Sequence, residues 1–64
     1  MIKQMDRVTQ GRTIRERRKK LGVTEEVLAA KLSCEKRLIS MCERGFMEYH
    51  SDKLEKIKEI LSLE

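Results

Sequence analysis

Apolar residues in this chain recur at helical spacing in short stripes, broken by polar turns. Over residues 24–45, TEEVLAAKLSCEKRLISMCERG, the positions Leu28, Leu32, Cys34, Ile39 and Cys42 close on one another only if one short helix lies across another. The small Ala29 then sits at the crossing. Thr24 is a ready N-cap, with Glu25 and Glu26 suited to the first turn, so the pattern predicts a helix over 25–32, a turn at Ser33 and Cys34, and a helix over 35–44 stopped by Gly45. Upstream, Thr9 is the expected N-cap of a first helix that ends near Leu21, with Gly22 as its stop and Ile14 and Leu21 on one face. Lys19 and Lys20 suit its negative end, and Gly11 is tolerated near its start at some cost. Downstream, Ser51 or Asp52 caps a fourth helix in which Leu54, Ile57 and Leu61 form the stripe and Ile60 widens it. Residues 1–8 read either as a flexible arm or as a helix extension. Residues 9–64 form one domain.

Composition agrees with an all-α reading. The chain has 64 residues, no proline, 3% aromatic and 41% charged residues. No apolar run approaches the roughly 18 residues of a membrane span, and Met1 to Val8 lacks the apolar segment of a signal peptide, so a cytoplasmic protein is expected. The net charge of +4 is unevenly placed: residues 1–32 carry nine Lys/Arg against four Asp/Glu, and residues 33–64 carry six against seven. Most of the excess lies in Arg12, Arg15, Arg17, Arg18, Lys19 and Lys20. That run suits a solvated helix face and a phosphate-facing surface equally.

Chemistry-bearing residues are few. Cys34 and Cys42 stand eight positions apart, about 12 Å along one helix, too far for a disulfide, and both fill slots where the pattern wants core residues. His50, the single histidine, has no second ligand near it and reads as a loop residue, so no metal is expected. With a single His and no Gly-rich phosphate loop, the chain is not expected to be an enzyme or to carry a cofactor.

From Ile14 to about Leu61 the chain resembles the Cro/repressor (XRE) class of helix-turn-helix DNA-binding proteins. The resemblance rests on IRERRKKLG, on Leu28, Ala29 and Leu32, on Ile39, and on ERG at Glu43 to Gly45. It implies a compact four- or five-helix bundle, with Arg18 of the first helix paired to Glu43. It implies base contacts from Lys36, Arg37, Ser40 and Met41, with Leu38 alongside, and phosphate contacts from Arg12, Arg15, Lys19, Thr24 and Arg44. Lys36 and Arg37 are equipped to donate to guanine O6 and N7, Ser40 to bond base or phosphate, and Leu38 or Met41 to touch a thymine methyl. The chain departs from the class at Glu25, often a phosphate-binding glutamine, at Ser33, usually glycine, and at Glu35, usually a serine or threonine cap. It also departs in FMEYH at residues 46–50, where polar and basic residues are common. There Phe46 is expected to fold inward; the alternative is an exposed patch of Phe46, Met47, Leu38 and Met41.

The expected function is therefore a sequence-specific DNA-binding regulator of phage, plasmid or mobile-element type. It binds double-stranded DNA as a homodimer, paired through Ile60 and Leu63 or through the apolar loop. The competing expectation is a degenerate helix-turn-helix that has lost DNA binding and serves as a protein-interaction module or antagonist, supported by Glu25, Glu35 and Glu48. Neither reading requires a small-molecule substrate.

Overall fold

The computed structural model describes residues 2–63; Met1 and Glu64, the outer ends of the expected arm and domain, lie outside them. Four helices follow a short 3-10 turn at Ile2–Gln4: α1 (Arg7–Lys20), α2 (Glu25–Leu32), α3 (Lys36–Glu43) and α4 (Ser51–Ile60). The all-α bundle expected from the sequence is thus the observed architecture. No described helix is long and apolar enough to cross a membrane.

The first helix begins earlier than expected, and its cap is Asp6 rather than Thr9. The Asp6 carboxylate accepts the Thr9 backbone N–H at 2.7 Å, and that bond holds its carboxyl below the usual range. Thr9 lies within the first turn, where its carbonyl accepts the Thr13 hydroxyl at 2.9 Å. Residues 2–8 extend and brace α1: Ile2 is buried, and its carbonyl accepts the side-chain amide of the buried Gln10 at 3.0 Å.

Gly11 is where α1 meets α3. A Cβ there would run into the Cys42 carbonyl oxygen and stand 3.0 Å from that of Glu43. A glycine that propensity alone counts as a defect is what lets the two backbones touch. Beneath this contact Ile14, Leu28, Leu32, Ile39, Cys42, Leu54, Ile57 and Leu61 form the core, with Cys34, Leu38, Ile60 and Leu63 packed partly buried against it. Leu21, expected to share the face of Ile14, is 45% exposed because it sits past the last turn of α1. Two cations fasten α4 to the rest: Lys53 donates to the Leu32 carbonyl at 3.1 Å and Arg17 to the Leu61 carbonyl at 2.8 Å. Each meets the negative end of a helix.

All four helices end alike. A left-handed residue, Gly22, Ser33, Gly45 or Ser62, is followed by one whose N–H bonds back five positions: Val23 to Arg18, Cys34 to Ala29, Phe46 to Met41 and Leu63 to Lys58. Ser33, at φ 55°, holds the turn between α2 and α3 in a conformation that costs a side-chain-bearing residue roughly 1–2 kcal/mol. Ser33→Gly is therefore expected to raise stability by about 1 kcal/mol in urea denaturation, after glycine's greater freedom in the unfolded chain is offset.

Phe46, expected to fold inward, does not; Tyr49 is the aromatic residue that is buried. Phe46 is 63% exposed, whereas Tyr49 is 6% exposed and its hydroxyl, among the described residues, has no hydrogen-bond partner. Burial pushes the phenol pKa far above its ordinary value. The unfolded chain therefore loses this proton first, so stability must fall as pH rises above about 10. Burial also lifts the Cys42 thiol from 9.0 to about 11, which starts the same decline near pH 9. Tyr49→Phe removes the orphaned hydroxyl and is expected to stabilise the fold by about 1 kcal/mol at neutral pH. Thermal melts across pH 7 to 11 should show a shallower alkaline decline, the remainder belonging to Cys42.

Candidate nucleic-acid interface

The sequence of α3 divides it lengthwise. Ile39, Cys42 and Glu43 are buried, whereas Arg37, Ser40, Met41 and Arg44 recur at i, i+3, i+4 and i+7 and so share the opposite face. Lys36, Arg37, Ser40, Met41, Arg44 and Phe46 line a single surface groove. All four residues expected to face bases thus come together with Arg44, and Phe46 is added by the cap of α3. Glu35 supplies that helix with an N-cap position but no capping hydrogen bond.

The buried Arg18 guanidinium anchors α3 from beneath. It grips Glu43 with two bonds, Nε to Oε2 at 2.6 Å and Nη2 to Oε1 at 3.0 Å, and donates from Nη1 to the Val23 carbonyl at 2.9 Å. The Glu43 hydrogen bond raises the arginine's pKa against the opposing effect of burial. Glu25, whose carboxylate stands among positions expected to oppose DNA, approaches the same guanidinium at 3.9 Å. Its charge is partly compensated from within the fold.

A second cleft, where α1, α2 and α3 converge, is lined by Arg15, Glu25, Ser40, Glu43 and Arg44. Two of the expected phosphate ligands, Arg15 and Arg44, therefore share this cleft with Ser40. Arg12, Arg15 and Lys19 lie three and four residues apart on one exposed face of α1, though Arg12, Lys19 and Thr24 line neither cleft. The Thr24 hydroxyl caps α2 by accepting the Val27 N–H at 3.1 Å, which leaves its proton available to a phosphate.

Pairing across the turn was not visible in the residues. Lys36 Nζ lies 3.0 Å from Glu26 Oε2, both side chains exposed; the ammonium lowers the pKa of the Glu26 carboxyl, and the carboxylate raises that of Lys36. Spacing of ten positions carries no helical signal, so only the crossing of α2 and α3 reveals the contact. An exposed ion pair of this kind is weak enough for a phosphate to displace. Comparison of the chain with protein-family models, with curated proteins and with solved structures finds no match.

Proposed function

We propose that this is a cytoplasmic, sequence-specific DNA-binding regulator, with α3 entering the major groove as the recognition helix and Arg12, Arg15, Lys19, Thr24 and Arg44 bonding phosphates. The observation that carries the reading is the groove on α3, where three cations and a hydroxyl share one exposed face on a helix held from below by Arg18 and Glu43. The resemblance of the chain to Cro/repressor proteins supports it. One short helix makes few base contacts, so useful specificity calls for two copies on half-sites about one helical turn apart. The reading asks no catalysis, cofactor, metal, membrane or small-molecule substrate of the chain.

Lys36→Ala with Arg37→Ala tests it. Fluorescence anisotropy against a duplex selected from a random pool is expected to show at least about tenfold weaker binding with an unchanged circular dichroism spectrum, since both side chains are exposed. Unchanged affinity would remove α3 from the interface. The protein-interaction reading draws on the exposed Phe46 and Met47 and on the carboxylate held against Lys36. Under that reading no duplex is bound, and a protein partner is lost on Phe46→Ala or Met47→Ala.

A further inference from the structure

The groove on α3 sets two apolar side chains, Met41 and Phe46, among three cations. Phe46 is the most exposed of the large hydrophobic residues described, at 63%. Its position is set by the cap of α3: Gly45 turns the chain at φ 84°, and the Phe46 N–H donates to the Met41 carbonyl at 3.1 Å. An apolar contact between these two cap positions is the usual companion of such an ending. The cap explains why Phe46 lies by Met41. It gives no reason for the ring to remain in water.

Resting on the DNA-binding reading, we infer that Met41 and Phe46 form a thymine-reading edge, seating the C5-methyl of a thymine one or two base pairs from the guanine bonded by Arg37. Three observations lead there. The groove is edged by Lys36, Arg37 and Arg44, and no carboxylate lines it, so its charge complements a polyanion. The thymine methyl is the one apolar group that the major groove offers, and phenylalanine is among the side chains that meet it. Met41 lies one helical turn beyond Arg37, about 6 Å along the axis, and base pairs are spaced by about 3.4 Å.

The same comparison separates Met41 from Leu38, which the sequence left as equal candidates. Leu38 does not line this groove: it shares one neighbouring cleft with Met41, Arg37 and Glu35, and lines another with Met47, Glu48, His50, Asp52 and Lys53. Of Leu38 and Met41, only Met41 reaches the groove that no carboxylate lines. The apolar contact to DNA therefore belongs to Met41 and Phe46.

Selection from randomised duplexes, followed by replacement of each thymine by uracil, tests the inference. The enriched half-site should hold a thymine within two base pairs of its essential guanine, and uracil there should weaken binding about fourfold, the worth of one buried methyl. Phe46→Ala, at an exposed site where folding is not at risk, should bind the thymine and uracil duplexes alike; Met41→Ala should do the same. Equal binding of both duplexes by the unaltered protein overturns the inference and leaves the DNA-binding reading standing. Binding of no duplex at all overturns both. Phe46-dependent self-association that excludes DNA in sedimentation would assign the edge to a second copy and overturn it too.

Discussion

Gly11→Ala is expected to destabilise the domain by about 3 kcal/mol, enough to leave much of it unfolded at 37 °C. Inside a helix, alanine in place of glycine ordinarily gains about 1 kcal/mol. Here the sign reverses, because the added Cβ meets the backbone carbonyls of Cys42 and Glu43 and no side-chain rotation relieves it. The helices must part, and overpacking of that kind costs roughly 1–3 kcal/mol, more where backbone must move. A chain this short draws only about 3–5 kcal/mol from its core. Urea denaturation with circular dichroism measures the loss; a variant as stable as the parent would show that α1 and α3 are not in backbone contact.

Arg18→Met carries the second large effect. Arg18 and Glu43 are 6% and 8% exposed, and removing the guanidinium strands a carboxylate among Tyr49, Cys42 and the core while also releasing the Val23 carbonyl. Breaking one end of a buried pair costs about 3–5 kcal/mol. Glu43→Leu should cost less than Arg18→Met, because the guanidinium keeps the Val23 carbonyl and the Glu25 carboxylate. The double variant is the informative one: with neither charge left, stability should recover most of the loss, because two apolar side chains in place of a buried ion pair are often neutral or better. Additive losses in chemical denaturation would instead mean that the two residues act separately.

The pairing of Arg18 with Glu43 was legible from the sequence only through its resemblance to a known class; no spacing rule joins residues 25 positions apart. Local signals served well where the chemistry is local. The cap at Thr24, the turn at Ser33 and the stops at Gly22 and Gly45 are each decided within a few residues. Asp6 was missed in favour of Thr9 because both are competent caps, and the choice was made by Ile2 and Gln10 docking the preceding turn on α1. Neither the closeness of Gly11 to α3 nor the contact of Lys36 with Glu26 exists until helices cross. Phe46 was misassigned for a related reason: composition says that one aromatic residue should be buried, but the turn at Gly45 decides which, and it sends Phe46 outward while Tyr49 goes in despite its unsatisfied hydroxyl.

The candidate site follows the same division. The resemblance to the Cro/repressor class singles out Lys36, Arg37, Ser40 and Met41, and helical spacing sets Arg37, Ser40 and Met41 with Arg44 on one face of α3. Of the carboxylates that argue against DNA binding, Glu25 could not be weighed in advance, because its contact with Arg18 is tertiary. Glu25 leans toward Arg18, and Glu26, read from the sequence only as a first-turn residue, holds Lys36. Both contacts reduce the negative charge that a phosphate would meet, and the one at Lys36 competes with DNA for its ammonium.

Salt dependence of binding tests the central claim most directly. The dissociation constant for a pool-selected duplex should be measured at about 50 mM and about 200 mM monovalent salt. The account predicts saturable binding that weakens steeply, by about 0.9 in log K per unit of log salt for each phosphate neutralised. No binding at the lower concentration, or an affinity indifferent to salt, would contradict it.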